Sequence, residues 1–318
     1  MERSSYIDLE NQKILISNFL GTEQEQDLSE PPNCNGFGRI RHFRRSQSNN
    51  WVDDPLPIDP ATHFFGLSER LAEIRTQVFQ MAYCNMACWY CFVPNNLKNA
   101  TRGKWISVSE LLDLLLREDN TPKVIDLSGG NPELTPEWTY WFMKELTNRN
   151  LNKKFYLWSD DTLSTESMFE YMKEDEIQFM ANYEGYGKVC CFKGFDPYSY
   201  SFNSSISNKF YDSQFIRFKK YFDMGFDTYG YITLTTDNLY NVKSNIVKFM
   251  DKLQAIRDWL PLKIVPLKIV KFTPTCSRIG IKQEDAIKNQ FVVLEVWKEE
   301  IEKRFSAMDR AKNIVDVR

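Results

Sequence analysis

The sequence predicts an α/β protein built on a parallel sheet. From about Arg75 onward, short apolar runs alternate with longer amphipathic ones in six strand–helix units. Alternation at that spacing implies parallel strands joined by right-handed crossovers. The chain has 318 residues, 42% of them hydrophobic and 14% aromatic. That is the length of one α/β barrel or of two smaller domains, with enough apolar matter for a large core. Six units fit a partial barrel or an open doubly wound sheet, and the pattern alone leaves both open. In either arrangement ligands gather at the C-terminal ends of the strands.

The elements follow in order. Ile7 to Leu20 holds a strand or a short helix. Turn-rich pieces come next, Ser29-Glu30-Pro31-Pro32-Asn33 and the proline-rich Asp53 to Pro60; such prolines break helix and ladder alike. Residues 1–72 are therefore expected to form an irregular extension. Thr76 to Ala82 is the first strand. Ser107 with Glu110 caps a helix rich in leucine. Lys123 to Ser128 is the second strand, and Pro136 opens a helix running to about Asn148. Phe155 to Trp158 is the third strand, followed by a helix from Ser164 to about Met180. Lys188 to Phe192 is the fourth strand, and Asp212 to Met224 a helix stopped by Gly225. Thr228 to Leu234, a helix from Leu239 to about Trp259, a strand within Leu262 to Phe272, and a last helix from Gln283 to about Phe305 complete the pattern. The expected division is 1–72, 73–275 and 276–318.

Forty Lys+Arg against 43 Asp+Glu leave a net charge of −3, with no general attraction to nucleic acid or anionic lipid. Two histidines, His42 and His63, argue against a histidine-rich metal site. No run approaches the roughly 18 apolar residues of a membrane span, and Met1 to Glu10 lacks a signal-type apolar stretch. A cytoplasmic protein with reduced thiols and no membrane partner is expected. Three of the seven cysteines crowd into eight residues, which in a reducing compartment reads as a metal site.

The first strand runs straight into Cys84-Asn85-Met86-Ala87-Cys88-Trp89-Tyr90-Cys91. Three thiolates from one tight loop can hold three irons of a [4Fe–4S] cube. A fourth protein cysteine is the usual complement, so one iron is left for an outside ligand. The rivals are structural zinc, which wants four ligands and commonly two cysteine pairs, and a group of buried thiols.

This loop, with its aromatic residue before the third cysteine, resembles that of the radical S-adenosylmethionine (SAM) enzymes. The second strand ends in Ser128-Gly129-Gly130-Asn131-Pro132-Glu133, which resembles the family's Gly-Gly-Glu-Pro motif with Asn131 in the glutamate slot. The resemblance covers roughly residues 75 to 275. It implies a partial (β/α)6 barrel with an irregular N-terminal extension and a C-terminal helix. It implies two cofactors, a [4Fe–4S] cluster on Cys84, Cys88 and Cys91 and SAM on the open iron. Tyr90 and the turn Ser128, Gly129, Gly130, Asn131 and Pro132 would line the SAM site. One electron, from a donor such as flavodoxin or ferredoxin, would cleave SAM to a 5′-deoxyadenosyl radical that abstracts hydrogen from a substrate.

Weaker correspondences follow. Ser159-Asp160-Asp161 and the segment around Lys193 resemble cofactor-facing segments of glycyl-radical activating enzymes. Lys193 is expected to meet a methionine or substrate carboxylate. Thr233 and Thr235 are expected to face adenine or ribose, although strand propensity explains them equally well. The histidine of those activases near strand six is absent, and Phe272-Thr273-Pro274-Thr275-Cys276 stands there. Cys276 is the candidate hydrogen donor to a substrate radical, against the alternative of a small buried hydrophobe. The leftover thiols Cys34, Cys190, Cys191 and Cys276 raise the question of a second cluster without the spacing for one. Cys190 and Cys191 must face opposite sides of a strand. Tyr183, Tyr186, Tyr198, Tyr200 and Phe202 form either a lid or ordinary packing. Gly38 to Arg45, basic and aromatic, is either a grip for phosphate, nucleic acid or acidic peptide or an internally paired loop.

The leading expectation is a radical SAM enzyme acting on a peptide. The alternatives are one acting on a nucleoside or nucleic acid, and a non-catalytic iron–sulfur or zinc module that binds a partner.

Overall fold

The computed structural model describes residues 2–46, 50–95 and 103–318. Its strands are β1 (Ile7–Asp8), β2 (Lys13–Ser17), β3 (Gly38–Arg44), β4 (Glu73–Gln80), β5 (Gly103–Ser107), β6 (Val124–Ser128), β7 (Tyr156–Asp161), β8 (Tyr186–Phe192), β9 (Thr228–Thr233) and β10 (Ile264–Leu267). Seven of them form one sheet in the order β10-β9-β8-β7-β6-β4-β3. The six expected strands are its parallel part, and each pairs with the next along the chain. A sheet whose order never reverses curls one way, and the result is a half-barrel rather than a doubly wound sheet.

Strand alternation sorts the core into two faces. Phe79, Leu127, Leu157, Cys190, Phe192 and Ile232 point outward, under the helices that supply Trp138, Phe142, Phe218 and Phe249. Val124, Tyr156, Trp158, Val189, Tyr229, Tyr231 and Val265 point inward and close the floor of the barrel. Ala61, from the helix Ile58–Phe64, and Ile314 plug that floor. The aromatic content of the chain is spent on these two layers.

The expected helix caps are present. Ser107 and Glu110 form a capping box on Val108–Leu115, and Gly225 follows the helix Ser213–Asp223 with φ +86°. The helix expected over Ser164 to Met180 is two helices, Ser167–Tyr171 and Glu174–Ala181. Met172 and Lys173 between them are extended. No proline or glycine marks that break, and three acidic residues at Glu174–Glu176 favour a new N-terminus there. The last strand shrinks to Ile264–Leu267.

The extension is less irregular than expected. β2 pairs with β1 and β5 in a small antiparallel sheet. The stretch Gly38–Arg44 is not a loop but an antiparallel strand added to β4. Its charges hid the pattern, because each cation has its own reason for lying where it does. His42 meets Glu30 at 2.9 Å and Arg44 meets Glu73 at 2.8 Å. Arg45 reaches Asp53, at 3.0 Å, and Asp59. Arg39 and Arg41 turn into the barrel. Exposed guanidiniums in a row, the feature a phosphate grip needs, are therefore not what this segment offers. At the other end of the chain, the 24-residue helix Ile281–Arg304 packs Val293, Leu294 and Trp297 into the outer core. Among the described residues, no helix is long and apolar enough to cross a membrane.

Candidate active site at the mouth of the half-barrel

The cysteine loop leaves β4 at its C-terminal end and is pinned from three directions. From the β6 side, the Asn131 N–H donates to the Tyr83 carbonyl at 2.9 Å. The Asn131 side-chain amide also donates to Asn85 Oδ1 at 3.0 Å. From beyond β8, where the helix Pro197–Ser204 begins at an Asp196 cap, Asn203 Oδ1 accepts from the Trp89 indole at 3.1 Å. The Ser204 carbonyl accepts from the Ala87 N–H at 3.2 Å. From the C-terminal segment, Arg278 donates to the carbonyls of Cys88, at 3.1 Å, and Cys91. Within the loop the Cys91 N–H closes a turn on the Cys88 carbonyl at 3.2 Å. None of the three thiols is in a disulfide among the described residues, and Cys88 is buried while Cys84 and Cys91 are partly so.

The glycine turn after β6 is demanded by its neighbours. Gly129 and Gly130 have φ of +64° and +57°, a region that suits glycine. A Cβ on Gly130 would lie 2.2 Å from the Tyr83 carbonyl oxygen, at the root of the cysteine loop. The turn and the loop thus touch backbone to backbone. Asn131 is fully buried, and its Oδ1 has no hydrogen-bond partner among the described residues. Pro132 opens the short turn that carries Glu133 into the helix-covered layer outside the barrel. Beneath it lies a buried ion cluster that the sequence did not reveal. Lys188 Nζ is 2.5 Å from Glu133 Oε2 and 3.4 Å from Asp161 Oδ2, and all three are buried. Burial works against the Lys188 ammonium, but two carboxylates outweigh it and hold its pKa well above the ordinary value.

The expected site residues divide by strand alternation. Ser128, Asp160, Cys191, Lys193 and Thr233 face the barrel interior below the loop. Ser128 Oγ donates to Asp160 Oδ2 at 2.5 Å, and Tyr90 from the loop meets Thr233 Oγ1 at 3.1 Å. Lys193 is buried beside Tyr90, Cys191, Cys88 and Cys84. Burial pushes the Cys191 thiol up to about 12, with Lys193 acting the other way. Ser159 and Asp161 do not face the interior. Ser159 Oγ meets the Tyr186 hydroxyl at 2.7 Å, Asp161 accepts from the Leu163 N–H, and both lie in the helix-covered layer. A triplet on one strand cannot present all its side chains to one face. Thr235 is engaged as well, donating to Asn203 Oδ1 at 2.8 Å and so joining the bracing of Trp89.

Cys276 is exposed and its Sγ donates to the Phe272 carbonyl at 3.5 Å. It sits outside the interior, on the turn whose Arg278 holds the loop. The leftover thiols are scattered: Cys34 and Cys190 are buried on the outer side, Cys191 faces inward and Cys276 faces solvent. Of the proposed aromatic lid, Tyr186 and Tyr200 are core residues, Tyr183 packs on Phe179, and Tyr198 stacks on Phe202.

Arg278, Asn203 and Lys188 carried no motif. Each acts across more than fifty residues of sequence. Only Glu133, next to the Gly-Gly turn, had a local signal. In donor type the residues suit the two cofactors of the resemblance, for three thiols lie on one loop and an orphaned buried amide oxygen lies at the adjoining turn. Among the described residues the side chains do not stand together as a ready metal-binding group.

Residues 73–183 match the family described as a 4Fe-4S single cluster domain. Among solved structures, SuiB of Streptococcus suis is 14% identical with a TM-score of 0.49, over 72% of this chain and 47% of that one. SuiB bound to its precursor peptide SuiA is 13% identical with a TM-score of 0.42, over 57% and 36%. The protein anSMEcpe with bound AdoMet is 14% identical with a TM-score of 0.44, over 70% and 60%. The chain therefore spans between 36% and 60% of the length of these proteins. No curated protein sequence matches it. The single-cluster match falls on the strand, the cysteine loop and the glycine turn that this half-barrel brings into contact.

Proposed function

We propose that the chain is a radical SAM enzyme that abstracts hydrogen from a peptide or peptide-like substrate held in the half-barrel. The observation that carries the reading is the backbone contact between the cysteine loop and the Gly129-Gly130 turn, with the Asn131 N–H on the Tyr83 carbonyl. When bound, the reduced [4Fe–4S] cluster supplies the electron that splits SAM into methionine and a 5′-deoxyadenosyl radical, which takes a hydrogen atom from the substrate.

In this reading Cys84, Cys88 and Cys91 hold three irons and leave the fourth open to SAM. Ser128, Gly129, Gly130, Asn131 and Pro132 supply the turn beside it, where the orphaned Asn131 Oδ1 accepts from the methionine ammonium. Tyr90 and Thr233, joined to each other, form one wall. Lys193 supplies a cation for a carboxylate, and Asp160 a carboxylate for a hydroxyl or ammonium. The Trp158 and Tyr231 floor keeps water from below. Residues 73–275 are the catalytic core, 1–72 and 276–318 its flanks, and a flavodoxin- or ferredoxin-type protein its electron donor. A nucleic-acid substrate draws no support from Gly38–Arg44, whose cations are paired or turned inward.

The test is anaerobic. Protein reconstituted with iron and sulfide, then given SAM and dithionite, should release 5′-deoxyadenosine detectable by mass spectrometry. The Cys84→Ala, Cys88→Ala, Cys91→Ala protein should release none. Zinc in place of iron, or equal product from the triple variant, overturns the reading.

A further inference from the structure

One group of side chains inside the barrel is left over by this reading. Arg39, Val78 and Asp126 stand side by side across β3, β4 and β6, and Arg41 and Thr76 form the next row. The group lies level with the floor residues, Asp126 beside Trp158 and Thr76 in the row of Val124 and Tyr156, and Phe92, next to Cys91, lies 5.2 Å from the Arg39 guanidinium. Asp126 and Thr76 are fully buried and Arg39 nearly so. Yet both Asp126 carboxylate oxygens, Thr76 Oγ1 and Arg39 Nε have no hydrogen-bond partner among the described residues. Arg41 Nη1 comes only to 4.0 Å from Asp126 Oδ2, beyond hydrogen-bond reach. A buried carboxylate with neither oxygen satisfied is costly and rare. On the adjoining strand Asp160 adds a second carboxylate, already holding the Ser128 hydroxyl.

Resting on the reading of the barrel as a substrate chamber, we infer that this group is the anchor for a free carboxylate with an N–H on the adjacent carbon. The guanidiniums of Arg39 and Arg41 take the carboxylate, in the forked geometry that suits that pair. Asp126 takes the N–H. Arg41 is the movable member. It is the one partly open to solvent, its side chain 36% exposed, and it covers Asp126; turning toward an incoming carboxylate uncovers the acid. Two cations opposed by two carboxylates disfavour a polyanion such as nucleic acid, because each phosphate would meet Asp126 or Asp160 at close range. They equally disfavour a purely apolar substrate, which would leave both Asp126 oxygens and Arg39 Nε unpaired. An α-nitrogen beside a free carboxylate satisfies both signs within one residue. Two sources present it, a free α-amino acid and the C-terminal residue of a peptide.

The test reads binding rather than turnover. Saturation-transfer NMR on the reconstituted, SAM-loaded protein is run against three pools of equal concentration. They are the free L-amino acids, their N-acetyl derivatives, and the N-acetyl derivatives capped as methylamides. At least one member of the first two pools should bind and no capped member should. Arg41→Gln and Asp126→Asn should each weaken that binding about tenfold or more, the equivalent of one charge-assisted hydrogen bond. Binding confined to free amino acids assigns that source, and binding of acetylated members assigns the peptide C-terminus. The inference is overturned if the capped pool binds as well, if no pool binds, or if folded Arg41→Gln protein binds as tightly as wild type. Should Asp126→Asn fail to fold, the capped pool on wild-type protein and the half-exposed Arg41 still decide. Binding as expected without any 5′-deoxyadenosine would fell the proposed enzyme and leave the anchor. Product without pool binding would do the reverse.

Discussion

Asp54 shows how a single residue couples the extension to the barrel. It is buried beneath the floor, where the Tyr231 hydroxyl donates to it at 3.0 Å and the Leu56 N–H at 3.1 Å. Burial pushes its pKa up to about 7, against those hydrogen bonds and the nearby Arg41. The folded chain therefore keeps a proton that the unfolded chain, with an ordinary aspartate, releases near pH 4. This contribution to stability is fully present below about pH 4 and is lost as pH rises through about 7. Thermal unfolding at about pH 5 and about pH 8 should show a larger fall for wild type than for Asp54→Asn. Equal falls would rule out this assignment. At the same scale the cysteines were legible because their spacing is local and their chemistry scarce. Asp126, an ordinary acid within an apolar strand, was not, since its missing partners are a property of the space around it.

At the scale of elements, the cysteine loop is the part whose shape depends most on others. Arg278 supplies two of its carbonyls with donors, and a charged donor to such a group contributes about 1.5–3 kcal/mol. Arg278→Met should loosen the loop while leaving the sheet intact. The reconstituted protein should then lose iron to a chelator about tenfold faster or more, with little change in thermal midpoint. Unchanged iron loss would mean that the loop stands without that brace. The strands and caps of the six units were legible because period, proline and glycine mark them within a few residues. β3 was not, because its charges read as a surface patch until partners from Glu30, Glu73, Asp53 and Asp59 are in place. The break at Met172 was missed because no proline or glycine marks it in the sequence.

At the scale of the molecule, the Lys188–Glu133–Asp161 cluster ties the glycine turn, β7 and β8 together at a point where water is excluded. Removing the cation strands two buried acids. Lys188→Met should cost about 3–5 kcal/mol in denaturant unfolding, and Glu133→Gln added to it should recover part of the loss. A change under about 1 kcal/mol would show that the acids are protonated and indifferent to the lysine. The same scale joins the two ends of the chain, for Asp27 in the extension accepts from the Thr273 N–H at 2.8 Å, on the turn that carries Arg278. An extension that reaches the loop's own brace is part of the site's support rather than an appendage.

What the sequence determined by itself was the alternation of six strands with helices, their caps, and the paired signals of a three-cysteine loop and a Gly-Gly turn at successive strand ends. These are readable because each rests on chemistry within a few neighbouring residues. The tertiary structure alone decided that the sheet curls into a half-barrel, which of Ser159, Asp160 and Asp161 faces its interior, and which of Cys190 and Cys191 does. It alone turned Arg39 and Arg41 from a basic patch into an interior pair opposite Asp126. Those outcomes depend on strand pairing and burial between residues far apart in sequence, and no local pattern records which distant groups will share one dry space.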